Sequence, residues 1–178
     1  MIMLYSKTAT DITPFSRTWS GTAWGNEVTM SQNSRASRLQ VIKCARFKEE
    51  CIALTGTSEP LDAQIWNGST WTATTSVEFP VLGFFRPFDL EYEYGTDRAI
   101  LVTRSGSSGD LVYSIWNGST WSATSSITTP FTSAVTIRFV ELASQSFSTS
   151  TRIAMIAVDG NSDVYGMEWN GSSGNNMG

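Results

Sequence analysis

An all-β fold built from four repeats is predicted by three observations. All seven tryptophans of the 178-residue chain fall in one pattern, Trp-x-Gly-x-x-Trp. It runs Trp19-Ser20-Gly21-Thr22-Ala23-Trp24, then Trp66-Asn67-Gly68-Ser69-Thr70-Trp71, then Trp116-Asn117-Gly118-Ser119-Thr120-Trp121. A fourth copy, Trp169-Asn170-Gly171, has Gly174 in place of its second tryptophan. The leading tryptophans are 47, 50 and 53 residues apart, a period that marks a repeat architecture. Charged residues make up only 16%, with abundant Ser, Thr and Gly, which suits sheets and turns rather than long solvated helices.

The third repeat is the clearest. Phe88 to Tyr94 alternates apolar and polar residues at period two, a strand signature. Gly95-Thr96-Asp97 is a turn, and Ala99 to Thr103 is a short β-rich apolar run, so a more buried second strand. Ser105 to Asp110 is a loop by composition. Leu111 to Trp116 is the third strand, and Asn117-Gly118 is a hairpin signal that predicts a type I′ turn. Trp121 to Ile127 is the fourth strand, and Pro130 ends the unit. The second repeat fits the same template, with strands Leu39–Arg46, Cys51–Thr55, Ala63–Trp66 and Trp71–Val77. Residues 65–76 and 115–126 differ only by Ser/Thr exchanges at 72/122 and 75/125.

Four antiparallel strands in about 50 residues make one propeller blade. The expected architecture is thus a single β-propeller-like domain over 1–178, with repeats of about 1–36, 37–80, 81–130 and 131–178. The first and last blades are expected to be incomplete. Met3, Ile100 and Ile153 each precede a motif tryptophan by 16 residues, which places Met3 in a second strand with no first strand before it. The last blade offers Val135–Leu142, Arg152–Val158 and Val164–Trp169, and 172–178 makes a poor strand. The expected total is 14 strands. An unclosed arc leaves open edges and faces. Closure by further blades of a larger protein or by a second copy is expected over closure of the chain on itself, and heterologous contacts of that kind give rings or filaments.

The hairpin resembles the WNGS(S/T)W repeats of large extracellular β-propeller proteins. Ser114-Ile115-Trp116-Asn117-Gly118-Ser119-Thr120-Trp121 also resembles the Asp-box of sialidase-type propellers, Ser-x-Asp-x-Gly-x-Thr-Trp, with Trp116 in place of the acid. The preceding copy has Gln64 in place of the serine. The Asp-box resemblance implies a structural hairpin away from any catalytic centre, and no catalytic residue is carried over from it.

Two roles for the tryptophans follow. A Trp pair flanking a tight turn stacks across two strands and covers the blade edge. Alternatively, Trp66, Trp71, Trp116 and Trp121 present ring faces to sugars, with Asn67 and Asn117 hydrogen-bonding hydroxyls. Asp159-Gly160-Asn161-Ser162-Asp163 alternates oxygen donors as calcium loops do, but Val164 stands where glycine is expected, so Asp159, Asn161 and Asp163 read first as a plain turn. Asp89, Glu91 and Glu93 share one face of a first strand and read as a solvated face, against a channel-lining acid pair for glycoside hydrolysis. Arg86, Arg98, Arg104, Arg138 and Arg152 show no spacing that makes three of them converge.

Histidine is absent, which removes His-based acid–base catalysis, Ser-His-Asp triads and the usual zinc sites. Net charge is −4 with no basic run, so nucleic acid is not an expected partner. No apolar stretch reaches 18 residues, so no membrane insertion is expected. The first residues lack the basic region of a signal peptide. Cys44 and Cys51 flank a hairpin turn at Phe47 to Glu50, and either pair or stay as buried thiols. The Asn-Gly-Ser triplets at Asn67, Asn117 and Asn170 match a glycosylation acceptor, although turn chemistry accounts for the same residues. The expected function is that of a non-catalytic structural or interaction module, extracellular or surface-associated, without a cofactor. Its expected partners are itself or further blades. A carbohydrate-binding propeller is the alternative, and a sialidase-like glycosidase fragment stands behind it.

Overall fold

The computed structural model describes residues 1–31, 36, 39–56, 61–74, 85–106, 110–127, 129 and 135–177. Among these, fifteen strands form four antiparallel sheets and there is no helix. The first sheet holds β1 (Ile2–Tyr5), β2 (Phe15–Thr18) and β3 (Val28–Thr29). The second holds β4 (Leu39–Cys44), β5 (Cys51–Gly56), β6 (Asp62–Trp66) and β7 (Trp71–Ala73). The third holds β8 (Phe88–Tyr92), β9 (Ala99–Arg104), β10 (Leu111–Trp116) and β11 (Ser125–Ile127). The fourth holds β12 (Ile137–Ser144), β13 (Ile153–Asp159), β14 (Val164–Trp169) and β15 (Gly174–Asn176). Each sheet is a meander in which consecutive strands pair, and among the described residues no ladder joins one sheet to another.

The sheets stack face to face. One apolar cluster, including Ile52, Leu54, Leu61, Phe88, Leu90 and Leu101, lies between the second and third. Another, including Ile100, Val102, Leu111, Ile137, Leu142 and Met155, lies between the third and fourth. Strand β9 supplies alternate residues to both clusters, which is why all six of its residues are buried and its sequence reads as a continuous apolar run. Strand β13 alternates buried and exposed residues because only one of its faces is covered. Strands β4, β8 and β12 lie beside one another, so the first strands converge where the sheets meet.

Four expectations are corrected. The last sheet is complete, and the strand total is fifteen: Gly174 to Asn176 pairs with β14 in the register Met167–Asn176, Glu168–Asn175, Trp169–Gly174. An edge strand needs only backbone bonds on one side, so low β-propensity does not forbid it. The constant 16-residue spacing does not mark equivalent positions, because the tryptophans pair with Met1, Cys51, Ala99 and Ile153 through second-to-third-strand connections of different length. Met3 does lie in a second-type strand, β1.

The third correction concerns the fourth strand of the third sheet, which is interrupted. Trp121 bridges Trp116, but β11 resumes only at Ser125 in a register shifted by one residue. The Ser122 hydroxyl accepts the Ile115 N–H at 3.0 Å, while Ser114 donates to the Ser122 carbonyl at 2.7 Å. These side-chain bonds stand in for ladder bonds at a bulge, and the first sheet makes the same one-residue shift between Trp19–Trp24 and Ser16–Val28 with Gly25 in the place of Ser122. In the second sheet, Thr72 and Gln64 occupy these places and the ladder runs unbroken from Trp66–Trp71 to Gln64–Ala73. The fourth correction is the turn type, described below. Of the expected strand ends, Thr75 to Val77 and Pro130 lie outside the described residues.

Cys44 and Cys51 form a disulfide. They sit directly opposite each other in the β4–β5 pair, next to the hydrogen-bonded Ala45–Glu50 pair, so they occupy the closer-approaching, non-hydrogen-bonded position.

Candidate functional site

The tryptophan hairpins are built around an asparagine side chain. Asn67 Oδ1 accepts the Ser69 N–H at 3.0 Å, the Thr70 N–H at 2.9 Å and the Ser69 hydroxyl at 3.0 Å. Asn117 and Asn170 repeat this set. In the first copy Ser20 Oγ takes the Thr22 and Ala23 N–H groups instead. The turn is not type I′. Only the glycine takes positive φ, near 96–104° in all four copies, and no asparagine is among the non-glycine residues with positive φ. Because the side-chain oxygen holds the turn, the connection spans the four residues Asn67–Thr70 between a directly paired Trp66 and Trp71.

The paired rings touch. Their centroids are 5.3 Å apart for Trp19–Trp24 and 5.5 Å for both Trp66–Trp71 and Trp116–Trp121, in tilted geometry. From the second sheet onward, one tryptophan of each motif bonds to the preceding sheet. Trp71 donates its indole N–H to Ser16 Oγ of the first sheet at 2.8 Å. Trp116 donates to Glu50 Oε1 of the second sheet at 3.1 Å. Trp169 donates to Glu93 Oε1 of the third at 2.8 Å. Both glutamates sit in the loop joining the first and second strands of their own sheet, and each gathers further donors. Glu50 Oε1 also accepts from the Tyr92 hydroxyl at 2.9 Å and Lys48 at 2.8 Å. Glu93 receives both Nε and Nη2 of Arg98. Burial, followed by the nearby Glu50 charge, pushes the Tyr92 phenol far above its ordinary range, so Tyr92 stays a donor.

The sugar-platform candidates divide accordingly. Trp116 is only 5% exposed, whereas Trp66, Trp71 and Trp121 are half-buried. Asn67 and Asn117 spend their side-chain oxygen on the turn. A groove of about 580 Å³ lies between the second and third sheets, lined by Ile65, Thr72, Thr74, Trp116, Ser119 and Trp121 among others. The Trp121 indole N–H is buried there and has no hydrogen-bond partner among the described residues. Ser16, which satisfies the corresponding N–H of Trp71, is matched three residues before the next motif by Ala63, which offers no side-chain acceptor. A second groove of about 560 Å³ lies between the first two sheets, lined by Met1, Trp19, Cys44, Glu49, Trp66 and Ser69 among others.

The carboxylates of the third sheet's first strand are not a solvated face. Asp89 is fully buried, and its oxygens accept from Arg86 Nη1 at 3.0 Å and the Leu142 N–H at 2.8 Å. Glu91 pairs with Lys43 Nζ at 3.0 Å. Lys43 also reaches the Leu142 carbonyl at 3.5 Å, and Arg86 forms a second ion pair with Glu141. Burial holds the Asp89 carboxyl above the usual carboxylate range despite Lys43 and Arg86. Burial opposes the charge on Lys43, but its hydrogen bond to Glu91 and the charges of Glu91, Asp89 and Glu141 outweigh this and hold it above the usual lysine range. Every acid here has a cation partner. Of the arginines, Arg86 joins this cluster, Arg98 pairs with Glu93, Arg104 bonds the Ile137 carbonyl at 3.4 Å, Arg138 lies over the Phe85 ring and Arg152 pairs with Glu168.

Asp159, Asn161 and Asp163 form the tight turn between β13 and β14. Asp159 Oδ1 accepts the N–H groups of Asn161 at 2.8 Å and Asp163 at 3.0 Å, and Ser162 takes the positive φ of 73°. That oxygen is already spent on closing the turn. Among the described residues no group of three acidic, Cys or His side chains gathers as a metal site.

No protein family and no curated protein matches the sequence. Among solved structures, the fold is similar to the NanB sialidase of Streptococcus pneumoniae, crystallised with 2-[(3-chlorobenzyl)ammonio]ethanesulfonate. The TM-score is 0.55 at 15% identity, over 88% of this chain and 26% of the sialidase. The chain thus corresponds to about a quarter of the sialidase's length, and the likeness is one of fold: an all-β, propeller-like arrangement of three- and four-stranded sheets.

Glu50, Glu93 and Lys43 were not legible as partners in the sequence. Glu50 lies on the returning arm of its loop and Glu93 on the outgoing arm, so their offsets from the tryptophans they hold, 66 and 76 residues, share no motif.

Proposed function

We propose that the chain is a non-catalytic structural and interaction module that works as part of a larger array of blades, as an oligomeric ring, a larger propeller or a surface assembly. The observation that carries this reading is the state of the two end faces. The outer face of the fourth sheet has no neighbour among the described residues, and Ile156 is 48% and Val164 65% exposed there. The corresponding residues of the second sheet, Leu54 and Leu61, are fully buried under the third. Apolar residues exposed at positions that the other sheets bury support an interaction site on this face. The Cys44–Cys51 disulfide supports an extracellular or surface setting, since such bonds persist in oxidising compartments. The pairing of each carboxylate near Lys43 with a cation supports the absence of acid–base chemistry there. Solution mass by light scattering, with hydrolysis assays on fluorogenic sialosides and other glycosides, tests the reading. Robust turnover would overturn it.

Carbohydrate binding is the second reading. It is favoured by the groove between the second and third sheets, where the half-buried Trp121 ring stands beside the hydroxyls of Ser119 and Thr120. A glycan array comparing the parent with Trp121→Ala tests it, and retention of every signal in the folded variant would remove it.

A further inference from the structure

The stacking rule within the chain predicts what covers its ends. In the second, third and fourth sheets one motif tryptophan donates its indole N–H to the preceding sheet, Trp71 to Ser16, Trp116 to Glu50 and Trp169 to Glu93. Trp19 and Trp24 belong to the first sheet, and no other described sheet lies on their side of it. Their face also carries Met1, Met3, Tyr5 and Phe15, with Met3 directly paired to Arg17. Trp24 is 41% exposed.

The outer face of the fourth sheet has the form of a receiving face. Ile156 stands where Leu54 and Val102 stand in the second and third sheets, and Val164 where Leu61 and Leu111 stand. All four of those counterparts are fully buried under the next sheet. Gly166 occupies the place of Ser16, the residue that meets Trp71, and a side chain there would touch nothing within 4 Å, which leaves room for an indole. Gln145 stands where Glu93 stands, since its N–H bonds the Arg152 carbonyl as the Glu93 N–H bonds that of Arg98. Its carboxamide oxygen accepts from the Ser150 hydroxyl at 2.8 Å and keeps a second lone pair for an indole N–H. Glu141 and Glu168 flank the apolar centre of this face, each already paired with an arginine, Arg86 and Arg152.

We propose that the outer face of the fourth sheet docks the Trp19–Trp24 face of a second copy of this chain, head to tail, continuing the stacking of the sheets across the contact. This rests on reading the chain as an interaction module and names its partner. The contact is heterologous, so repetition gives a ring or a filament.

The test uses two variants at exposed positions, Ile156→Asp and Trp24→Asp, with circular dichroism to verify folding and Met3→Asp as a second block of the first-sheet face. Light scattering is expected to show concentration-dependent assemblies for the parent and monomers for each variant alone. Mixing Ile156→Asp with Trp24→Asp is expected to restore association as a one-to-one pair, because each contributes the face that the other lacks. A parent that stays monomeric at all concentrations overturns the proposal. So does association that survives in either variant, or a mixture that stays monomeric. Self-association that persists in both variants removes this contact while leaving the module reading intact, whereas only glycoside turnover overturns that reading.

Discussion

The indole N–H of Trp169, a fully buried ring of the fourth sheet, donates to Oε1 of Glu93 in the third at 2.8 Å. Trp116 and Glu50 repeat the relationship one sheet earlier. A buried donor left without its acceptor costs about 1–3 kcal/mol. Glu93→Ala is therefore expected to destabilise the fold by at least this amount, because Arg98 loses its partner as well, and to lower Tm by several degrees. Glu93→Gln keeps an acceptor for Trp169 and is expected to recover part of the loss. Thermal melts of the two variants check the order, and equal stability of Glu93→Ala and the parent would contradict it.

Restoring the missing tryptophan of the fourth hairpin is expected to harm the protein. A Cβ at Gly174 would sit 2.7 Å from Ile127 Cγ2, and Tyr113 already packs edge-on against Trp169 at 4.9 Å. Gly174→Trp overpacks this contact and is expected to cost about 1–3 kcal/mol. Combining it with Ile127→Ala is expected to recover part of that loss, as measured by urea denaturation.

Folding raises the Lys43 pKa above its ordinary 10.5. Its contribution is therefore complete below the unfolded value and is lost as pH rises through the higher folded value. The stability gap between the parent and Lys43→Met is expected to stay constant between about pH 7 and 9 and to shrink above about 10.5. Asp89 acts in the opposite sense. Its folded pKa lies above 3.8, so falling pH through that raised value favours the folded state, and the gain is complete below 3.8. Urea midpoints across pH, with Lys43→Met and Asp89→Asn as references, separate the two.

Reducing the Cys44–Cys51 bond releases a short loop of sequence separation 7. Chain entropy assigns such a loop about 2–3 kcal/mol. Stability measured with and without reductant is expected to differ by this amount in the parent and not at all in a Cys44→Ala/Cys51→Ala variant.

Much of the architecture was legible because it is local. Strands β10 and β14 match their expected bounds, since a loop- or turn-forming stretch before each and an Asn-Gly after each mark both ends. The register of each hairpin follows from its Trp-x-Gly-x-x-Trp copy. What escaped depends on contacts between sheets. The buried ion pairs of Asp89, Glu91 and Glu93 look like an exposed charged stripe until the fourth sheet is laid over them. Strand β15 has no propensity signal, because β14 supplies its partner bonds. The bulge at Ser122 sets a hydroxyl on the Ile115 N–H in place of a ladder bond, which a Ser/Thr exchange in the sequence does not announce.

Lys43 belongs to the second sheet, yet it bonds Glu91 of the third and the Leu142 carbonyl of the fourth. Arrays in which each unit touches only its neighbours can fray from an end, one unit at a time. A side chain that spans three units works against such fraying, since detaching the fourth sheet also removes a partner from the second. Loss of the terminal repeat is thus felt two repeats away, and the arc resists being peeled like a linear solenoid.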